Sequence, residues 1–279
     1  MLGSLAGALL NALTSRRGYS IEAGVAYAGG PRLVLDIYTP DGAGAETPVV
    51  VWFHGGAWDS GSRAMYLFLA QALASGGVIA VLPDYRLYPE VTFPGFVEDA
   101  ARAVGWTAHT VAKGRPLFVG GHSAGAHIAA LVALDPRYLA AVGMDRDAVA
   151  GFIGLSGPYD FLPLTEDRYK AVFPEPMRAE SQPIAFVDAN APPTLLLTGD
   201  GDRTVRPGNT TRLAAALRQH GRSVREIVYP GIGHLGTVAA LASVLPGTKP
   251  PVRADMLAFI REVAGKRPQF VIPAKACTQ

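Results

Sequence analysis

The chain has a single cysteine, Cys277, close to its end. One cysteine excludes an internal disulfide and any metal site built on paired thiolates. Charge is also sparse: Asp, Glu, Lys and Arg make up 17% of the 279 residues, and the formal net charge is +2. No run of five or more Lys or Arg occurs, so a nucleic acid partner is not expected. The apolar stretch at residues 2–13 is too short to cross a bilayer. A G-x-G-x-x-G string occurs once, at residues 231–236, and such a string alone is weak evidence for a dinucleotide. Gly120 and Gly125 have the outer spacing of a phosphate loop, but Ala126-His127 stands where Lys-Ser/Thr is needed. Repeats and low-complexity tracts are absent.

What the chain does have is apolar material. Hydrophobic residues make up 49%, enough for a buried sheet covered by helices and too much for a disordered chain. The expected organisation is an N-terminal helical arm at residues 1–19, one large domain at 20–265 and a C-terminal tail at 266–279. In the arm, Leu2, Leu5, Leu9, Leu10 and Leu13 fall near one helical face, suited to docking on the protein body or to weak contact with a membrane surface. Arg16 and Arg17 follow the apolar stretch, the reverse of a secretory signal, which points to the cytoplasm. Nothing in the spacing specifies an oligomeric state.

Short apolar runs bounded by Gly or Pro read as strands at 49–54, 78–83, 116–121, 149–156, 194–199 and 224–229. Helix-forming stretches near 63–75, 97–113, 124–134 and 208–220 alternate with them. That rhythm predicts an α/β fold with a mostly parallel central sheet and helices on both faces. Residues 20–26 and 32–38 read as an antiparallel hairpin at one edge. The Pro-rich, charged segment 161–192 breaks the rhythm and is too long for an ordinary loop, so it is expected to form a small cap insertion over the site.

Chemistry enters at Gly121-His122-Ser123-Ala124-Gly125. In a chain with 32 glycines the G-x-S-x-G string alone is weak. Its position gives it weight, because it follows an apolar strand and opens a helix, as a nucleophile elbow must. The turn is tight enough that only glycine fits two residues either side of the serine. A second motif, His54-Gly55-Gly56-Ala57-Trp58, follows the first strongly apolar strand. Its backbone N–H groups can approach a developing oxyanion closely, and the Ala124 N–H supplies a further donor.

A serine nucleophile needs a base, and the base needs an orienting acid, in the order Ser, Asp/Glu, His for this fold. The strand at 194–199 runs into Asp200-Gly201-Asp202, and the next into Gly231-Ile232-Gly233-His234. Of six histidines only His234 follows both the candidate acid and a strand. Asp200 and Asp202 are both eligible as the acid; Asp202 is preferred because Asp200 can serve the turn. His54, His122 and His127 flank the two motifs, where they can shape the loops without taking protons.

Taken together these residues resemble the serine esterases of the α/β-hydrolase fold related to hormone-sensitive lipase. The smaller branch that includes bacterial feruloyl and acetyl esterases and kynurenine formamidases is the most similar. Further marks are Leu35-Asp36-Ile37-Tyr38, Asp84-Tyr85-Arg86-Leu87, Phe93-Pro94 ahead of Glu98-Asp99, and Ser156-Gly157 before Tyr159-Asp160. The resemblance spans residues 20–265. It implies Ser123 as nucleophile, His234 as general base, Asp202 as orienting acid, and the N–H groups of Gly56, Ala57 and Ala124 as oxyanion hole. It also implies that Asp84-Tyr85-Arg86-Leu87 is buried scaffold. Where the lipase-like branch has a third glycine, this chain has Ala57, which fits the smaller branch and argues against bulky tertiary-alcohol esters.

The expected activity is hydrolysis of a small-molecule carboxylic ester through an acyl-enzyme, without cofactor or metal. The charged insertion offers chiefly Phe161, Tyr169, Phe173 and Phe186 as large apolar groups, which predicts short acyl chains. An arylformamidase or other amidase could use the same residues. A non-catalytic binding protein of the same fold is the alternative from another class.

Overall fold

A computed structural model describes residues 10–243 and 250–266. Cys277, the start of the N-terminal arm and nearly all of the C-terminal tail lie outside the described residues. Eight strands form one sheet: β1 (Tyr19–Ala26), β2 (Val34–Pro40), β3 (Val49–Phe53), β4 (Ile79–Pro83), β5 (Leu117–His122), β6 (Val149–Leu155), β7 (Thr194–Gly199) and β8 (Val224–Tyr229). They lie in the order β1-β2-β4-β3-β5-β6-β7-β8. The β1–β2 and β2–β4 pairs are antiparallel, and every pair from β4 to β8 is parallel. The expected α/β fold with its antiparallel edge is borne out.

Parallel strands carry helices on both faces, so their residues must be apolar in both directions. Alternation along each strand sorts them. Val49, Val51 and Phe53 enter the core on one face, while Val50 and Trp52 enter the core on the other. The first face is covered by α2 (Gly95–Thr107), α3 (Ala124–Leu134) and α6 (Gly208–Gln219), the second by α1 (Leu67–Ala74) and α8 (Val252–Gly265). Shorter helices are α4 (Pro136–Ala140), α5 (Asp167–Val172) and α7 (His234–Ala239). All eleven residues of α3 are buried, so the element behind Ser123 is core on every side. Each fully buried Val, Leu or Ile there contributes roughly 1.5–3 kcal/mol, which makes α3 a rigid mount.

The inserted segment between β6 and β7 is built from α5 and short 3-10 turns. Its large side chains turn inward: Phe173 is fully buried, and Phe161 and Phe173 pack on Trp58 and His127. Arg146, itself buried, holds Asp188 with two bonds of 2.9 Å. The exposed Arg168–Asp59 pair adds little stability.

The described part of the arm is docked. Leu10 is buried among the residues of the second core, the Asn11 side chain donates to Ala64 O (2.6 Å) and it accepts from Phe68 N (3.2 Å). Four helices were not expected from the sequence, α4, α5, α7 and α8. The α8 signal is nevertheless present, since Val252, Met256 and Ile260 recur at helical spacing after Pro251.

Candidate active site

Four loops meet where strands β3, β5, β7 and β8 end, the place where open α/β sheets bind ligands. Ser123 sits between β5 and α3 with φ 56° and ψ −123°, a left-handed conformation costly for a residue with a Cβ. Neighbouring bonds hold it there: its N–H donates to Leu155 O (2.9 Å) and its carbonyl accepts from Ala126 and His127 N–H. The flanking glycines are required by contact. A Cβ on Gly121 would lie 2.3 Å from the Gly125 backbone, and one on Gly125 would lie 2.1 Å from Phe53 O.

His234 opens α7, with Nε2 2.9 Å from Ser123 Oγ and Nδ1 2.7 Å from Asp202 Oδ2. The other Asp202 oxygen accepts from the Thr204 and Val205 N–H groups at 3.0 and 2.9 Å. Burial pushes the Asp202 carboxyl up, but the bonds from His234 and Val205 outweigh it and leave it below the ordinary carboxylate value. An ionised carboxylate only accepts, so the His234 proton is on Nδ1 and the Nε2 lone pair faces Ser123. Asp200 does different work, accepting from Gly231 N–H (2.6 Å) to tie the two loops together.

The loop after β3 carries Gly56, Ala57 and Trp58 at φ values of 134°, 51° and 63°. Among the described residues no acceptor takes the N–H of Gly56 or Ala57. Ala124, as the first residue of α3, has no intrahelical acceptor for its own N–H. Tyr85, in the Asp84-Tyr85-Arg86-Leu87 motif, is fully buried and donates its hydroxyl to His54 O (2.8 Å) at the root of this loop. Arg86 grips the buried Asp99 carboxylate through two bonds.

Other contacts at the site were not expected from the sequence. His122 Nε2–H donates to His234 O (3.2 Å), which leaves His122 Nδ1 to accept from Tyr66 Oη (3.2 Å). Tyr66 Oη in turn accepts from Gly55 N–H (2.9 Å), so one chain of bonds joins the His-Gly-Gly loop to the His234 loop. Burial pushes His54 down to about 4, His122 to about 3 and His127 to about 4, so all three are neutral at pH 7. These partners are far apart in the sequence, and no local pattern marks them.

A cavity of about 540 Å³ adjoins Ser123 and His234. Apart from the glycine loop, its walls are mostly apolar: Leu10, Met65, Phe68, Leu235, Val238 and Ala239. Among the described residues none of segment 161–192 lines it; Phe161, Tyr169 and Phe173 of that segment pack on Trp58. The N-terminal arm supplies the wall instead. No group of three or more His, Cys, Asp or Glu gathers as a metal ion would require, again among the described residues. None of the described helices is long and apolar enough to cross a membrane.

The sheet order and a serine elbow above its centre define an α/β hydrolase. Residues 35–217 match the BD-FAE family model, roughly two thirds of the chain, and the chain belongs to that family. It is 31% identical to esterase LipC of Mycobacterium tuberculosis, over 93% of this chain and 69% of that protein. It is 27% identical to a probable isoprenylcysteine alpha-carbonyl methylesterase, ICMEL1, of Arabidopsis thaliana, over 77% of this chain and 51% of that protein. The chain thus spans about half to two thirds of the length of several curated relatives. A bacterial heroin esterase structure superposes with a TM-score of 0.73 at 26% identity, covering 94% of this chain and 90% of its own.

Proposed function

We propose that the protein is a carboxylic ester hydrolase in which Ser123, His234 and Asp202 form the catalytic triad. The observation that carries this reading is the pair of bonds running Ser123–His234–Asp202 at 2.9 and 2.7 Å, at the mouth of an apolar cavity. His234 Nε2 takes the proton as Ser123 Oγ attacks the ester carbonyl. The N–H groups of Gly56, Ala57 and Ala124 receive the oxyanion. His234 returns the proton to the departing alkoxide, leaving an acyl-enzyme. Water then attacks with His234 again as base, releasing the acid and restoring Ser123. Asp202 stays ionised and stabilises the imidazolium.

The cavity equals roughly 18 water volumes at ~30 Å³ each. Acyl and alcohol groups share that space and no residue of segment 161–192 extends its wall, and acyl chains of about two to six carbons are expected to be preferred. A panel of nitrophenyl esters from acetate to palmitate tests the reading, and kcat/KM is expected to peak within that range. A preference for palmitate over butyrate under matched detergent would refute the size reading. Turnover of an arylformamide with no turnover of any ester would replace the esterase reading by an amidase one.

A further inference from the structure

In this reading the N–H groups of the oxyanion hole come from two separate elements. Ala57 lies on the loop after β3, and Ala124 lies at the start of α3. Both must point at one oxygen, so the loop has to be fixed relative to the helix. The loop's own backbone does not favour its shape, because Ala57 and Trp58 are consecutive left-handed residues with side chains.

Backbone bonds hold the loop locally, from Tyr88 N–H to Trp58 O (2.9 Å) and from Asp59 and Ser60 N–H to Gly56 O, and the Trp58 indole adds a tie to α3. It is 5% exposed, with the rings of Phe173 and His127 at centroid distances of 4.8 and 5.1 Å. Its Nε1–H donates to His127 Nδ1 (3.1 Å), and His127 Nε2–H donates to Ser181 O (2.7 Å) in the inserted segment. A carbonyl only accepts, so the Ser181 bond places the ring proton on Nε2 and leaves Nδ1 free to receive the indole. His127 is fully buried, and it stands one turn after Ser123 on α3, the same helix that presents Ala124. Its depressed basicity keeps it neutral, which the acceptor role requires.

Resting on the ester-hydrolase reading, we propose that His127 is a positioning residue that clamps the oxyanion loop to the nucleophile helix through the Trp58 indole. Ser181 fixes the tautomer that makes the clamp work. The insertion therefore serves the reaction from beside the oxyanion loop, by holding a histidine in one protonation pattern.

The test compares His127→Leu, His127→Asn and Trp58→Phe with the wild type. Asn keeps an acceptor near the position of Nδ1, Leu removes it, and Phe keeps the aromatic plug without the indole N–H. Rates are expressed per active site, counted by exhaustive fluorophosphonate labelling, so that unfolded protein drops out. His127→Leu and Trp58→Phe are expected to lower kcat by about 10- to 100-fold with KM within about threefold. Inhibition by an alkyl trifluoromethyl ketone, whose adduct places an oxyanion in the hole, should weaken by the same factor. His127→Asn should restore most of the loss.

A kcat per labelled site that is unchanged in Trp58→Phe, or equal losses in the Asn and Leu variants, would overturn the proposal. Trp58→Phe decides the matter if His127→Leu fails to fold. A wild-type protein that neither hydrolyses esters nor takes the phosphonate would instead overturn the underlying ester-hydrolase reading.

Discussion

Replacing Asp202 by Asn separates the two candidate acids. In Asp202 one oxygen receives the Thr204 and Val205 N–H groups, and the other receives His234 Nδ1–H at 2.7 Å. Asn can keep the first pair with its carbonyl oxygen. Its NH₂ then faces His234 Nδ1, which has to become the acceptor. The ring proton moves to Nε2, and no lone pair is left for Ser123 Oγ. A loss of roughly 10⁴-fold in kcat is expected from such a tautomer change, equivalent to about 5 kcal/mol of transition-state stabilisation. Asp200→Asn keeps an oxygen for the Gly231 N–H and does not touch His234, so its kcat should fall no more than a few-fold. Initial rates with nitrophenyl butyrate, corrected for active sites by phosphonate titration, give both numbers. Equal losses, or a larger loss in Asp200→Asn, would refute the assignment of Asp202.

Three further outcomes follow from the geometry. Gly125→Ala places a Cβ 2.1 Å from Phe53 O, a backbone clash that should cost at least about 3 kcal/mol in a urea titration; a normal midpoint would contradict the packing described. Burial holds His54, His122 and His127 at about 4, 3 and 4 against an ordinary value of 6.5. Above pH 6.5 these rings are neutral whether folded or unfolded, whereas below it only the unfolded chain binds their protons. Stability should therefore fall as pH drops from 6.5 towards 4, at up to roughly 4 kcal/mol per pH unit for three protons; a denaturation midpoint that stays flat over that window would contradict their burial as neutral rings. Leu10→Trp should fill part of the cavity and shift the preferred acyl chain shorter, while Leu10→Ala shifts it longer, each methylene being worth about 0.8 kcal/mol; identical chain-length profiles would remove the arm from the pocket wall.

Much of the fold was legible because parallel strands announce themselves. A run such as Val49-Val50-Val51-Trp52-Phe53 is apolar on both faces, short, rich in β-branched and aromatic residues and bounded by Pro48 and Gly55, which marks a core strand of a layered sheet. The three polar groups that meet at the site were legible for a related reason. Each stands just past the carboxyl end of a strand, and the chain order Ser, Asp, His leaves few choices. Tertiary partners were not legible. Tyr66 and His122 are 56 residues apart, and Trp58 and His127 are 69 apart, so no spacing rule connects them. The pocket wall was obscured in the same way. The aromatic groups of segment 161–192 suggested a roof, but apolar side chains seek the nearest core, and here that core surrounds Trp58. Leu10 reaches the cavity because Asn11 pins the arm to Ala64 and Phe68, a contact across more than 50 residues.

The most direct test of the central claim is mass spectrometry after reaction with a fluorophosphonate, performed on the wild type and on Ser123→Ala. One adduct per chain is expected, on the peptide that contains Ser123, with ester hydrolysis lost in step with labelling. Ser123→Ala should take no label and retain less than about a thousandth of the wild-type rate. A purified Ser123→Ala variant that keeps more than a tenth of the activity, or an inactivating adduct on another residue, would contradict Ser123 as the nucleophile.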